Sequence, residues 1–419
     1  MLMNIILKTR RENNMSNVEA KPVRAKDLLN AITAEHYKSA WDAKNAGEKV
    51  GWCASNFPQE IFETMGIKVV YPENQAAAIA AKGGGQRMCE HAENNGYSND
   101  LCAYARINLA YMDVKDCPEL NMPQPDFVLC CNNICNCMIK WYENIAKELD
   151  IPMILVDIPY NNDYDAEQDR IDYVRGQFDY AIKQLEEITG KKWDEKRFEE
   201  VMEISQRTGK AWLAATSMSR YEPSPFNGFD VFNHMAVAVC ARGKKESAEA
   251  FELLLKEFEQ NVAEGKSTFR GEEKYRILFE GIACWPHLRH TFTTLKEAGV
   301  NVCGTVYADA FGYIYENTDE LMQAYCRTPN AISFERATDM RIKAIKENKC
   351  DGALIHINRS CKQWSGPMYE MEREIRKQTG VPTAIFDGDQ ADPRNFSPAQ
   401  YDTRVQGLIE LMDANKEAK

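Results

Sequence analysis

The chain has 419 residues, with 51 Lys+Arg against 63 Asp+Glu, which gives a formal charge of −12. That length suggests two or three domains of roughly 100–200 residues, and hydrophobic and charged fractions of 44% and 27% are those of a soluble globular protein. A mean hydropathy of −0.51, a pI near 5.2 and the lack of a long uncharged apolar run exclude a membrane span and a general nucleic-acid binder.

At the amino terminus, Met1–Asn14 carries its charges after a short apolar stretch, the reverse of a secretory signal. It reads as an extension ahead of a further methionine, Met15, and the chain is expected in the cytoplasm. A helical arm follows over about 24–48. Short β-rich runs punctuated by Gly, Pro and Asn then alternate with helical stretches, the pattern of βαβ units. They are Lys49–Ala54, Ile67–Tyr71, Asp126–Cys130 and Pro152–Ile158, and later Arg276–Ala283, Val300–Tyr307, Gly352–Ile357 and Pro382–Phe386.

The two sets correspond in order. SNFP (Ser55–Pro58) answers ACWP (Ala283–Pro286), PDFVLCCNNIC (Pro125–Cys135) answers CDGALIHINRSC (Cys350–Cys361), and IPMILVDIP (Ile151–Pro159) answers VPTAIFDGD (Val381–Asp389). Pro58 and Cys135 are 77 positions apart, Pro286 and Cys361 75. The expected fold is therefore α/β, with two Rossmann-like or flavodoxin-like parallel-sheet domains related by internal duplication. Between the sets, Ile171, Val174, Phe178, Ile182 and Leu185 fall on one helical face that Gly190 stops, and a second helix starts at Asp194. The expected domains are an extension and arm at 1–48, a first α/β domain at 49–164, a helical connector at 165–265 and a second α/β domain at 266–419.

Fourteen cysteines are too many to ignore in a reducing compartment. Most, such as Cys117, Cys240, Cys303, Cys326 and Cys350, read as small core hydrophobes. Cys135 and Cys361 differ, because each follows an Asn-containing turn where the chain leaves a strand. An apolar stripe accompanies each: Ile134, Met138, Trp141, Ile145 and Leu149 around and after the first, and Trp364, Met368, Met371 and Ile375 after the second. Each thiol thus stands at a helix N-terminus, whose partial positive charge favours thiolate. Cys102, ahead of a helical run, is a third candidate. Zinc or an iron–sulfur cluster would both suit three such thiols.

The segments GWCASNFPQE (Gly51–Glu60), VVYPENQAA (Val69–Ala77), LCAYAR (Leu101–Arg106), LCCNNICNCMIKWYENI (Leu129–Ile145), EGIACWP (Glu280–Pro286), HINRSCK (His356–Lys362) and FDGDQADPRNF (Phe386–Phe396) resemble the larger, alpha-type subunit of the 2-hydroxyacyl-CoA dehydratase family. The resemblance runs from about residue 25 to 415 and looks nearest to the phenyllactyl and lactoyl members. It implies a 4Fe–4S cluster in the cleft between the domains, held by Cys102, Cys135 and Cys361 with one iron open. Cys130, Cys131 and Cys137 are then core or supporting residues.

The resemblance also implies a chemistry. One-electron reduction of the thioester carbonyl to a ketyl radical anion expels the C2 hydroxyl and acidifies the C3 proton. Ser55 and Glu73, each following a strand, would assist hydroxyl departure and proton transfer; read without the family they are a helix cap and a solvated turn carboxylate. His356 reads as a donor to the site or as a core histidine, and Trp52 and Trp285, placed at equivalent points, as packing. Arg270, Lys274 and Arg276 read as a solvated charge run or as contacts to CoA phosphates.

The implied partners are a paralogous smaller subunit, a transient ATP-dependent iron–sulfur activator, and a 2-hydroxyacyl-CoA, with no nucleic acid or membrane. With no GxxxxGK(S/T) loop in the chain, ATP serves only the activator. Two alternatives stand beside this reading: an aryl-CoA reductase-type subunit of the same superfamily, and a non-catalytic electron-relay or structural subunit.

Overall fold

The computed structural model describes residues 23–163 and 165–418; the expected extension at 1–14 lies outside them. Strands β1 (Val50–Cys53), β2 (Lys68–Val70), β3 (Phe127–Cys131) and β4 (Met153–Val156) form one sheet in the order β2-β1-β3-β4. Strands β5 (Tyr275–Glu280), β6 (Val300–Gly304), β7 (Gly352–Asn358) and β8 (Thr383–Gly388) form a second in the order β6-β5-β7-β8. Every pairing is parallel. Each of the eight expected runs contains a strand, although Val300–Tyr307 is strand only to Gly304 and turns helical at Val306. Every residue of β1, β3 and β7 is buried, as parallel strands covered by helices on both faces require. The expected run Arg276–Ala283 stops at Glu280 because Gly281 turns the chain with φ 116°, and a Cβ there would lie 2.7 Å from the His356 carbonyl oxygen.

The arm forms the helix Ala25–Asn45, and the stretch between the sheets forms Gln168–Thr189, Glu195–Ser217, Phe229–Cys240 and Lys245–Ala263. The first of these four buries Ile171, Val174, Phe178 and Leu185 and ends at left-handed Gly190. The second is capped by Asp194, whose carboxylate accepts from the Arg197 backbone N–H at 3.2 Å.

Buried polar groups hold these parts together. Glu60 Oε1 accepts from Ser205 Oγ at 2.7 Å and from the Tyr315 hydroxyl at 3.0 Å, while Oε2 accepts from the Tyr325 hydroxyl at 2.7 Å. Arg242 lies 3.4 Å from the same carboxylate and 4.3 Å over the Tyr313 ring. The paired guanidinium and three hydroxyl donors keep this carboxyl ionised below its usual range despite full burial. Elsewhere, Arg106 reaches across to Asp392 at 2.9 Å.

Three expectations change. The helix after Cys361 is not continuous: it forms Lys362–Ser365 and resumes at Met368–Thr379, because Pro367 has no N–H to carry the ladder through. Trp52 lies inside β1 and donates to the Pro123 carbonyl at 2.8 Å, whereas Trp285 follows β5 and donates to the Tyr104 hydroxyl at 2.5 Å. Both pack, but not at equivalent points. Arg276 is buried, paired with Glu273 and bonded to the carbonyls of Tyr221 and Asn348 at 3.1 and 2.9 Å. A guanidinium so engaged fixes a loop and does not reach a phosphate; Arg270 and Lys274 remain exposed.

Candidate active site

In an open parallel sheet, ligands collect at the carboxyl ends of the strands. Here the carboxyl ends of both sheets face one cavity of about 90 Å³. Ser55 follows β1, Glu73 follows β2, Cys135 follows β3, Ile282 follows β5, Tyr307 follows β6, Cys361 follows β7 and Gln390 follows β8, and all line it. Cys102 joins them from the turn before the helix Ala103–Val114.

The three thiols share one local structure. Cys102, Cys135 and Cys361 are the N-cap residues of Ala103–Val114, Asn136–Leu149 and Lys362–Ser365. Backbone N–H groups of Ala105, Met138 and Trp364, each three residues on, favour the corresponding thiolates. Burial opposes them. It pushes Cys135 well above the ordinary thiol range, with Cys102 and Cys361 adding repulsion, and pushes Cys361 up to about 12. Cys102 is pushed up first by its hydrogen bond to Cys137 and then by burial.

Polar contacts tie the Cys102 and Cys361 turns to each other. Ser360 Oγ accepts from the Ala103 backbone N–H at 3.0 Å and from Gln390 Nε2 at 2.9 Å. Among the described residues no three His, Cys, Asp or Glu side chains converge closely enough to hold a single metal ion.

Facing the thiols is a second constellation. Glu73 Oε1 accepts from the backbone N–H and the hydroxyl of Ser55, both at 2.9 Å, and Oε2 accepts from the Tyr142 hydroxyl at 3.2 Å. Glu73 is 7% exposed and is no solvated turn carboxylate. Burial raises its carboxyl above the usual range, and the Ser55 and Tyr142 donors offset part of that rise. An acid of raised pKa joined to a hydroxyl is equipped to move a proton.

The other walls include Tyr104, Met138, Trp141, Phe311 and Trp364. Two site residues escape a sequence reading. Cys137 lines the cavity and bonds to Cys102, which draws its thiol below the ordinary range; only the tertiary approach of two helix starts shows this. Tyr142 stands four residues after Met138 and three before Ile145, on the same buried face, so in the sequence its ring reads as packing, and only the approach of Glu73 gives its hydroxyl a role. Cys130 and Cys131 are buried strand residues outside the cavity.

His356 does not line the cavity. Its Nδ1–H donates to the Ile282 carbonyl at 2.6 Å and its ring stacks on Phe386 with centroids 4.6 Å apart. Burial lowers its pKa to about 4. Unfolded histidine titrates near 6.5, so this group contributes stability that is complete above about 6.5 and is lost as pH falls toward 4. Denaturant unfolding is therefore expected to show stability falling between pH 6.5 and 4.5, with a shallower fall in His356→Phe. His36 and His234, also held neutral by burial, keep part of the slope in that variant. An unchanged slope would contradict the assignment.

The chain is 67% identical over 403 residues to the (R)-phenyllactyl-CoA dehydratase alpha subunit of Clostridium sporogenes, covering 96% of this chain and 99% of that one. It is 53% identical over 395 residues to the (R)-2-hydroxyisocaproyl-CoA dehydratase alpha subunit of Clostridioides difficile, covering 94% and 97%. Identity to the lactoyl-CoA dehydratase subunit alpha of Anaerotignum propionicum is 40% over 414 residues, covering 94% and 98%. The expected likeness to phenyllactyl and lactoyl members is met, at 67% and 40% identity. The model of the family described as 2-hydroxyglutaryl-CoA dehydratase, D-component, matches residues 54–412, and the chain belongs to that family.

Proposed function

We propose that this chain is the alpha-type iron–sulfur subunit of an (R)-2-hydroxyacyl-CoA dehydratase acting on a phenyllactyl-type thioester. The observation that carries the reading is the meeting of the Ser55–Glu73 pair with three N-cap cysteines in one buried cavity. A pure electron relay needs neither the hydroxyl nor the carboxyl. The aromatic walls Tyr104, Trp141, Phe311 and Trp364 suit an aromatic acyl group better than a lactoyl methyl.

Cys102, Cys135 and Cys361 would hold a 4Fe–4S cluster. Their chemistry fits: thiols that repel one another when ionised need a cationic group between them, and donors spread around a cavity suit a group that presents a separate iron to each. When bound, that group supplies a Lewis-acidic open iron and one-electron chemistry at the thioester. The chain's own residues handle the protons. Ser55 Oγ gives its proton to the departing C2 hydroxyl, which leaves as water as the C–O bond breaks, and Glu73 replaces that proton across the 2.9 Å contact. The Glu73 carboxylate so formed is stabilised by the Ser55 N–H and the Tyr142 hydroxyl. It then takes the C3 proton, which returns it to the acid.

The like order of the two sheets and the like caps at Cys135 and Cys361 support an origin by duplication, with domains at 49–164 and 266–419, the arm at 1–48 and a connector at 165–265. No helix of the described residues is long and apolar enough to cross a membrane; the chain works in the cytoplasm. Its relatives are named alpha subunits, which supports a partner subunit; in this proposal that partner is a smaller paralogous subunit, and the electron comes from a separate ATP-dependent activator. The test is anaerobic turnover of (R)-phenyllactyl-CoA and (R)-lactoyl-CoA. The isolated chain is expected to form no 2-enoyl-CoA, and addition of the second subunit, activator, ATP and a reductant to start dehydration, faster with the phenyllactyl ester. Dehydration without activator or ATP would overturn the radical chemistry.

A further inference from the structure

A cavity of about 380 Å³ lies apart from the active site and shares none of its lining residues. It is enclosed by the start of the helix Ala25–Asn45, by Phe229–Cys240 and Lys245–Ala263 between the sheets, and by the helix Leu288–Glu297. Four cations, Arg24, Lys26, Arg270 and Lys296, line it against two carboxyls, Asp230 and Glu257. We propose that this cavity binds an aromatic monocarboxylate, with the carboxylate among these cations and the ring against Phe258 and Phe292. The inference is independent of the dehydratase reading, since nothing in it uses the cluster or the thioester.

Three observations support it. The first is a pair of unused donors on buried side chains. His234 is 6% exposed, lines the cavity and makes no hydrogen bond among the described residues. Burial, aided by Lys26, lowers its pKa to about 4, so at neutral pH the ring is uncharged and keeps one N–H to give. Asn227 is 7% exposed and lines the same space. Its side-chain oxygen accepts from the Phe229 backbone N–H at 3.3 Å, while its amide N–H groups donate to none of the described residues. Donors left unpaired at such depth cost stability unless a ligand accepts from them.

The second is charge. Arg24 has Asp27 at 3.9 Å, but Lys26, Arg270 and Lys296 make no ion pair among the described residues. The two carboxyls are engaged locally: Glu257 accepts from the Ala25 backbone N–H at 2.8 Å and Asp230 from the Thr268 hydroxyl at 3.5 Å. The excess of cations attracts an anion. The two acids disfavour a second negative charge, which selects a carboxylate over a phosphate dianion. The third is the apolar wall. Phe258 stacks on Phe226 with centroids 4.5 Å apart and Phe292 packs on Phe229 at 5.3 Å, so both rings are held in place. The Lys296 ammonium lies 5.8 Å from the Phe292 centroid, which puts a cation beside the surface on which a ligand ring would rest.

The experiment is equilibrium dialysis of the full chain, purified without oxygen, against 3-phenylpropanoate. The ring without the charge (3-phenylpropan-1-ol), the charge without the ring (acetate) and inorganic phosphate should each bind roughly tenfold more weakly, the scale of losing a buried ring or a charged contact. His234→Phe is expected to weaken 3-phenylpropanoate binding roughly tenfold, the scale of a hydrogen bond to a charged group. Lys26→Ala and Lys296→Ala, on side chains that reach solvent and so spare the fold, should each weaken it about threefold, the scale of an exposed ion pair. Three results would each overturn the site: no binding at millimolar 3-phenylpropanoate, an unchanged Kd in the Lys26→Ala/Lys296→Ala double variant, or equal binding of the alcohol. Tighter binding of phosphate than of 3-phenylpropanoate overturns the choice of a carboxylate.

Discussion

Glu73→Gln is expected to keep its iron and to lose roughly 10²- to 10⁴-fold in kcat, the range for removing a positioned proton-transfer group. The amide preserves the shape and can still accept from Ser55, but it cannot carry the proton that Ser55 Oγ must recover. Ser55→Ala should fall in the same range, because the hydroxyl is the bridge between the carboxyl and the departing group. Since the two act as a unit, the double variant should be little slower than either single one. Tyr142→Phe should be milder, about tenfold, and should carry a signature that a packing defect would not.

The sign of that signature follows from the hydrogen bond. The Tyr142 hydroxyl favours the Glu73 carboxylate, so its loss raises the carboxyl further above its usual range. In the proposed mechanism turnover begins from protonated Glu73, so activity is expected to decline as pH rises through its pKa, and the phenylalanine variant should hold activity to higher pH. Near-normal kcat in both Glu73→Gln and Ser55→Ala, with iron retained, would return these residues to a structural role.

Much of this was legible from residue order. The strands announce themselves because buried parallel strands are continuous apolar runs, and here each is bounded by Gly, Pro or Asn. The caps at Cys135 and Cys361 are visible for a related reason: NNIC and NRSC interrupt an apolar strand immediately before a helical stripe. What escapes is whatever depends on two distant segments meeting. Cys137 looks like one more cysteine of a crowded run until the helix starting at Ala103 is brought against it. Arg276 sits in a string of charges that reads as solvated, yet it is buried because Glu273 and the carbonyls of Ser219, Tyr221 and Asn348, from two segments, close over it. The break at Pro367 was written in the sequence, but the apolar stripe through Trp364, Met368 and Met371 continues across it, since the two helices bury the same side.

Replacing Cys135 or Cys361 by Ala is expected to remove most of the iron, about four atoms per chain in protein purified without oxygen, and with it all dehydration. The controls follow from burial and position: Cys117→Ala and Cys326→Ala should keep full iron, because these thiols lie outside the cavity. The sharper comparison is between Cys102 and Cys137, which share a hydrogen bond and both line the site. Their backbones differ. Cys102 is the N-cap of Ala103–Val114, with its thiolate favoured by the Ala105 N–H, in the same way as Cys135 and Cys361 are placed on their own helices. Cys137 lies one residue inside the helix Asn136–Leu149 and takes its support from Cys102 itself. A ligand needs donors that stay when its proton leaves, and Cys137 loses its partner's thiol proton once Cys102 is bound as thiolate. Cys102→Ala should therefore lose most of the iron and Cys137→Ala should retain it, both read by iron content and visible absorbance before any assay of turnover. The opposite pair of results would move the third ligand to Cys137 and leave the Cys135 and Cys361 assignments standing; full iron in the Cys135 variant would end the assignment altogether.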